Sequence, residues 1–266
     1  MKILTWNINS IRIRLKQLSD VIDELQPDII CLQETKVENN KFPLKDVQEL
    51  GFKYVSINGQ PSYNGVAIFT CYKLQDTIIK NFCSKEDSRY ISAKIKHPKL
   101  DQHLNIHNFY VPAGGDEPDV SINPKFAHKI DFLNEMKSYF TENNKTQKIL
   151  VGDLNIAPLE NDVWSHKQLL NVVSHTPIET KTLLDIIASG DWVDVMREIT
   201  PHDEKLYSWW SYRNRNWEIS NRGRRLDHIW VSKKLFPQVK SGVIYKETRS
   251  WEKPSDHVPI IIDIDI

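Results

Sequence analysis

Residues 149–158 read Ile149-Leu150-Val151-Gly152-Asp153-Leu154-Asn155-Ile156-Ala157-Pro158. The apolar run Ile149, Leu150, Val151 is the end of a buried strand, and Gly152 and Pro158 then break the period. Strand side chains alternate, so Asp153 and Asn155, two residues apart, project to the same side and reach one small site. That is an active-site geometry. A capped loop, in which both side chains merely bond nearby backbone, is the competing account of this segment taken alone, so other segments decide between the two.

Upstream, Phe126, Ile130, Leu133, Met136 and Phe140 recur at helical spacing and predict a helix that ends near Asn143 and Asn144 and feeds the 149 strand. The amino-terminal segment repeats that logic. Residues 2–8 predict a strand, Ser10 an N-cap, and Ile11, Leu15, Leu18, Ile22 and Leu25 a helix that stops before Pro27. Residues 28–34 return to strand. A crossover helix makes these two strands parallel neighbours or near neighbours, with Asn7 and Glu34 at the carboxyl ends where such sheets place ligands.

Between the two halves, residues 52–57, 65–72, 77–82 and 90–95 predict short strands joined as hairpins. A strand at 104–111 ends in Tyr110-Val111-Pro112, which adds the Tyr110 hydroxyl to the candidates. His97, His103 and His107 lack acidic neighbours at ligand spacing and are read as solvated strand positions. Downstream lie a helix at 179–188 ended by Gly190, an apolar run at 192–195, and strands at 226–231, 243–248 and 258–264. The last is preceded by Ser255, Asp256 and His257. The stretch 207–225 sets Trp209, Trp210, Tyr212 and Trp217 among Arg213, Arg215, Arg222, Arg224 and Arg225, a composition suited to phosphates and unstacked bases. A solvated loop pinned by packed tryptophans is its alternative.

The 266 residues carry no linker, internal repeat or low-complexity segment, so a single domain spanning 1–266 is expected. With 40% hydrophobic and 26% charged residues the chain buries a core without staples. Cys31, Cys71 and Cys83 are odd in number and lack metal-type spacing, which predicts reduced, buried thiols. The amino terminus lacks a signal-peptide core, so a cytoplasmic location is expected. Lys plus Arg and Asp plus Glu both number 35, so any nucleic-acid partner has to be recognised by local clusters rather than by net charge.

Gathered together, Asn7, Glu34, Asp153, Asn155, Asp227, Asp256 and His257 are acids, amides and one imidazole flanking apolar strands. No serine or cysteine nucleophile has an obvious partner. Hard oxygen donors select magnesium or manganese, and magnesium commonly shares its shell with substrate phosphate. Hydrolysis of a phosphodiester requires charge neutralisation, an activated water and a stabilised leaving oxygen, and this residue set offers all three.

Six motifs carry a resemblance across essentially the whole chain: Thr5-Trp6-Asn7-Ile8-Asn9-Ser10-Ile11-Arg12, Leu32-Gln33-Glu34-Thr35-Lys36, Tyr110-Val111-Pro112, Gly152-Asp153-Leu154-Asn155, Asn221-Arg222-Gly223 with Arg225-Leu226-Asp227, and Ser255-Asp256-His257. In this order they resemble the exodeoxyribonuclease III and apurinic/apyrimidinic endonuclease family, within the endonuclease, exonuclease and phosphatase superfamily. The resemblance implies an α/β (α+β) four-layer, DNase I-like sandwich of two packed mixed sheets flanked by helices. It implies a metal-dependent DNA repair nuclease that incises duplex DNA 5′ to abasic sites and acts on 3′ ends as exonuclease and phosphodiesterase or phosphatase.

By the same resemblance, one or two Mg2+ or Mn2+ ions are held by Glu34, with Asn7, Asp153, Asn155, Asp256 and His257 around them. Asp153 orients or deprotonates water, Asn155 positions it, and His257 bonds a phosphate oxygen with Asp227 behind it. Tyr110 contacts the scissile phosphate or serves as an acid. Trp209, Trp210, Arg213, Arg215, Asn221 and Arg222 are the expected DNA contacts. The partner is double-stranded DNA with abasic sites or 3′ ends, without a membrane, and the expected state is a monomer. Asn9 departs from the aspartate that many members carry, which bears on a second metal ligand. Two other functions remain open at this point: a phosphatase or phospholipid diesterase on the same scaffold, and a DNA-binding module without catalysis. Residues 9–12 and the 207–225 cluster disfavour the first. The retention of Glu34, Asp153 and His257 disfavours the second.

Overall fold

Alternation along the first strand sends Ile3 to one face and Leu4 to the other, and both are fully buried. A strand with two apolar faces needs a layer on each side. In the computed structural model, which describes residues 1–100, 103–142 and 147–266, it has them. Strands β1 (Lys2–Asn7), β2 (Ile29–Gln33), β3 (Tyr54–Asn58), β4 (Val66–Thr70), β11 (Val239–Ile244) and β12 (Ile260–Ile264) form one sheet, in the order β11-β12-β1-β2-β4-β3. Strands β5 (Lys73–Ile79), β6 (Tyr90–Lys96), β7 (Leu104–Tyr110), β8 (Lys148–Asp153), β9 (Trp192–Asp194) and β10 (Asp227–Ser232) form the other, in the order β5-β6-β7-β8-β10-β9.

Each sheet contains one helix-crossed parallel pair. Helix α1 (Ile11–Leu25) returns the chain from β1 to β2, and helix α3 (Pro124–Glu142) returns it from β7 to β8. Short helices lie between: α2 (Leu44–Glu49), α4 (His166–Leu169), α6 (Val195–Ile199) and α7 (Trp217–Ser220), with the longer α5 (Pro177–Ser189) covering the second sheet. Ile3, Ile29 and Ile68 of one sheet meet Ile91, Ile106, Ile149 and Ile229 of the other in the central core. The outer face of the first sheet, through Leu4, Trp6 and Leu32, packs on Leu18, Val21 and Ile22 of α1. The outer face of the second, through Phe109, Leu150 and Trp230, packs on Met136 of α3 and on Leu183 and Ile186 of α5. These are the four layers of a DNase I-like α/β sandwich.

Several local expectations are corrected. β3 and β4 pair as a hairpin, and so do β5 and β6, but β4 and β5 lie in different sheets, so the chain changes layer at Cys71 and Tyr72. Phe82 ends no strand: it opens a 3-10 turn and its ring packs on Tyr90, Phe109 and Phe132. The strand expected at 243–248 runs Val239–Ile244, and Lys246–Ser250 is 3-10. Ser10 makes no side-chain cap. Its φ is 89°, and its backbone N–H donates to Glu34 O at 2.7 Å.

Cys31 is buried as expected, whereas Cys71 is exposed and Cys83 half-buried. Of the three histidines, His107 is a buried strand residue whose Nδ1 lies 2.9 Å from the Tyr90 hydroxyl, and His97 is buried just past β6. Neither is solvated, because the outer-layer aromatics and Tyr72 close over them. His103 is half-buried and precedes β7. The helix end expected at Asn143 and Asn144 lies outside the described residues. Among those residues no helix is long and apolar enough to cross a membrane.

Candidate active site

Strand ends from both sheets meet at one edge of the sandwich. The parallel register of β1 and β2 aligns Asn7 with Gln33, which sets Glu34 just beyond the edge. In the second sheet Asp153 is the register partner of Tyr110 on one side and of Asp227 on the other. Gly152 makes this crowding possible: its φ is +136°, and a Cβ there would stand 2.0 Å from Phe109 O. Asp256 and His257 come from the loop before β12, which is tied to β1 by Trp6 Nε1 donating to His257 O (3.1 Å) and Ser255 Oγ donating to Asn7 O (2.7 Å). Glu34 and Asn155 both hold positive φ, 50° and 54°. Left-handed backbone at non-glycine residues is strain that surrounding structure has to impose.

Asn7 is the hub. Its Nδ2 donates to Glu34 Oε1 at 2.9 Å and to Asp153 Oδ2 at 2.8 Å. Asp153 also accepts from the Asn155 backbone N–H (2.9 Å) and from Asn155 Nδ2 (3.2 Å). His257 presents Nδ1 to Asp227 Oδ2 at 2.8 Å and Nε2 toward Asp153 Oδ2 at 3.7 Å. Burial, with Asp227 and Glu34 nearby, raises the Asp153 carboxyl despite His257 and Asn7. Burial opposes charge on His257 as well, but Asp227 and Asp153 outweigh it and raise the imidazole. Burial likewise opposes charge on Glu34, yet Lys36 and Asn7 hold its carboxyl below the usual range. Burial and the Glu34 and Asp153 carboxylates push the Tyr110 phenol well above its ordinary value.

The donor set fits a hard divalent cation. Glu34 and Asp153 bring carboxylate oxygens to within hydrogen-bond reach of a single amide nitrogen, and Asp256 adds another carboxylate to the same cleft. Asp153, Asp227 and His257 form a second grouping, with ligand atoms within 4.8 Å of one another. There the His257–Asp227 bond already engages Nδ1, so only Nε2 faces the cleft.

Residues 4–257 match the Endonuclease/Exonuclease/phosphatase family. The chain belongs to that family. It is 33% identical to exodeoxyribonuclease III of Haemophilus influenzae over 98% of each chain. Among solved structures it resembles an AP endonuclease from Archaeoglobus fulgidus (32% identity, TM-score 0.91) and a 3′ phosphatase from Neisseria bound to a product DNA hairpin (28%, TM-score 0.91), each covering all of both chains. The chain is thus a nuclease, a phosphodiester hydrolase with a buried cluster of acids and histidine of the kind this metal-dependent family uses.

A cleft of about 840 Å³ opens above these groups, lined by Glu34, Tyr110, Asp153, Asn155, Asp256 and His257 on its floor. The 207–225 stretch supplies one wall but divides by role. Trp210 is fully buried, edge-on to Tyr207 and Trp217, with Nε1 donating to Asn221 Oδ1 at 3.1 Å. Trp209 lines the cleft and donates Nε1 to Asp256 Oδ2 at 2.9 Å. Arg213, Arg222 and Arg224 line the cleft, and Arg215 is exposed outside that lining. Arg225 is withdrawn entirely: buried, it pairs with Asp162 at 2.8 Å and Asp194 at 2.7 Å.

Sequence reasoning missed Lys36, whose Nζ is 2.8 Å from Glu34 Oε2 and 2.6 Å from Asn9 Oδ1. Its place two residues after Glu34 in the second motif was the available signal. Ser208, which donates to Asp227 Oδ2 at 2.7 Å, carried none. Asn9 bridges Lys36 to Asp256, donating to Asp256 Oδ1 at 3.1 Å.

Proposed function

We propose that this nuclease is a DNA repair enzyme that incises duplex DNA 5′ to abasic sites and processes 3′ ends as exonuclease and phosphodiesterase or phosphatase. The observation that carries the reading is the convergence of Asn7, Glu34, Asp153 and His257 beneath a wall of tryptophan and arginine. Acids and an imidazole alone would serve any phosphate ester. The aromatic and guanidinium wall suits a nucleic acid.

Glu34, with Asn7, Asp153, Asn155, Asp256 and His257 around it, would hold Mg2+ or Mn2+. Such an ion neutralises phosphate charge and lowers the cost of the developing oxyanion. The chain's own groups do the rest. Asp153, with its carboxyl raised toward neutrality, is suited to accept a proton from water at Oδ2. Asn7 and Asn155 fix that oxygen from two sides. His257 retains its proton beside Asp227 and donates from Nε2 to a phosphate oxygen. Tyr110, held protonated, can donate to the same phosphate. Arg213, Arg222 and Trp209 contact the DNA, and we read the enzyme as a cytoplasmic monomer that acts away from membranes.

End-labelled duplexes, one with an abasic analogue and one intact, test this when incubated with magnesium or with chelator. The expected products are a single incision 5′ to the analogue and stepwise shortening of 3′ ends, both abolished by chelator and by Asp153→Asn. Cleavage indifferent to the abasic position would remove the repair assignment.

A further inference from the structure

Past Asp153 the chain leaves the ladder of β8, and the carbonyls of Asn155, Ile156 and Ala157 need partners outside it. Three buried basic side chains from three parts of the chain take one carbonyl each. Lys129 Nζ of α3 donates to Asn155 O at 2.8 Å, His228 Nε2 of β10 lies 2.8 Å from Ile156 O, and His175 Nδ1, just before α5, lies 2.6 Å from Ala157 O. A carbonyl only accepts, so both ring nitrogens carry hydrogen there. The far side of each ring is engaged as well: Arg225 Nη1 donates to His228 Nδ1 at 3.1 Å, and His166 Nδ1 lies 2.8 Å from His175 Nε2. The segment that follows the catalytic carboxylate is therefore clamped at three successive residues.

Lys129 is the member nearest the chemistry. Its ammonium is fully buried, pairs with the equally buried Glu179 at 2.5 Å, and donates a further bond to Ala113 O at 3.2 Å. It thus ties Asn155 to a residue three past Tyr110. Glu179 is itself fixed, accepting from the Ser174 N–H at 2.9 Å and from the Thr176 hydroxyl at 2.6 Å. A buried ion pair is a poor source of stability, because desolvation offsets the attraction and a well-packed apolar pair would serve as well. What an apolar pair could not do is donate to the Asn155 carbonyl. Asn155 holds left-handed backbone, φ 54°, which persists only where the surroundings impose it. From that backbone its Nδ2 reaches Asp153 Oδ2 at 3.2 Å and Val111 O at 3.0 Å.

We propose that Lys129, braced by Glu179, is a positioning residue for hydrolysis: by holding the Asn155 carbonyl it aims the Asn155 carboxamide at the Asp153 oxygen that receives the proton. Lys129 touches neither substrate nor metal and acts through Asn155 alone. The inference rests on the reading of Asn155 as part of the hydrolytic site and adds to it the group that sets its geometry.

The test compares wild type, Lys129→Met, Asn155→Ala and the double variant on an abasic duplex with magnesium. Methionine keeps the length of the side chain and removes the donor. Lys129→Met should lower kcat by about tenfold or more while KM stays within about twofold, as expected when a reacting group is misplaced rather than binding lost. In the Asn155→Ala background the same substitution should cost about twofold or less, since no carboxamide remains to be aimed. An equal loss in both backgrounds is the mark of a structural residue and would overturn the proposal, as would an undiminished kcat in Lys129→Met. Glu179→Gln, which loosens the brace but keeps the lysine, should give a smaller loss with the same dependence on Asn155. If neither variant folds, the wild type decides: the Asn155 side-chain amide, assigned by NMR from its disappearance in Asn155→Ala, should show two distinct protons that exchange slowly with water. Averaged, rapidly exchanging protons would overturn the proposal. If Asn155→Ala cleaves as fast as wild type, the catalytic reading of Asn155 fails and takes this inference with it.

Discussion

His257 Nδ1 lies 2.8 Å from Asp227 Oδ2, and that oxygen also accepts from Ser208 Oγ at 2.7 Å. Both residues are buried, so the carboxylate fixes the ring's orientation and favours its charged form. If the two act as a unit, Asp227→Ala and His257→Ala should each lower kcat by about 10²-fold or more, and the double variant should lose little beyond the worse single. Simple addition of the two losses in a double-mutant cycle would separate them.

Glu34 is partly exposed and bonded by Asn7 and Lys36 rather than packed in a core. Glu34→Ala should therefore raise the magnesium concentration needed for half-maximal rate by an order of magnitude or more, while moving the melting temperature little. A variant fully active at low magnesium would take the metal role away from Glu34.

The two neighbouring tryptophans should part company on substitution. Trp210→Ala removes a fully buried ring and should cost about 3–5 kcal/mol of stability. Trp209→Ala should cost less stability but change the preference for abasic over intact DNA, through stacking worth roughly 1–3 kcal/mol. Melting curves and competition binding on the same preparations would expose any exchange of these roles.

Arg213 and Arg222 line the cleft, so they are the arginines expected to meet backbone phosphates. Their joint replacement by alanine should weaken binding to all duplexes alike and lower the slope of log affinity against log salt by about 0.9 for each phosphate that is no longer neutralised. Replacement of Arg215 alone should change that slope less. An unaltered slope in the double variant would move the DNA path elsewhere.

His107 makes stability fall in acid. Burial, with Lys148 adding to it, pushes the imidazole down to about 3 from an ordinary 6.5. The unfolded chain therefore takes up a proton below about pH 6.5 that the fold refuses until about pH 3, and this difference destabilises the protein as pH falls between those values. The slope from this one group is at most about 1.4 kcal/mol per pH unit. Denaturant titrations of His107→Gln between pH 7 and 5 should show a shallower acid loss than the wild type. Parallel curves would assign the acid sensitivity to other groups.

Much of the candidate site was legible before any coordinates because its residues stand where apolar runs stop. Alternation along a strand and the 3.6-residue helical period are local properties, and they placed Asn7, Tyr110, Asp153 and Asp227 at strand ends and Glu34 just past one, whereas His257 stands in a loop three residues before β12 rather than directly at its start. The parallel pairing of β1 with β2 and of β7 with β8 followed from the helices between them. What the sequence did not hold was partnership.

Trp209 and Trp210 are adjacent and alike in composition, and only the approach of Tyr207, Trp217 and Asn221 buries one and leaves the other at Asp256. Arg225 reads like Arg222 in a basic run, yet Asp162 and Asp194, distant in the chain, draw it into the interior as an ion pair. His107 looks like a polar strand residue until Phe140 and Tyr139 close over it. The change of sheet between β4 and β5 is likewise invisible in two apolar strands that would pair equally well with each other. Periodicity is fixed by the backbone of each segment, whereas burial and charge environment depend on neighbours that only the folded chain brings within a few ångströms. The sequence therefore determined which residues stand at the edge of the sandwich, and the tertiary structure decided which of them face the cleft.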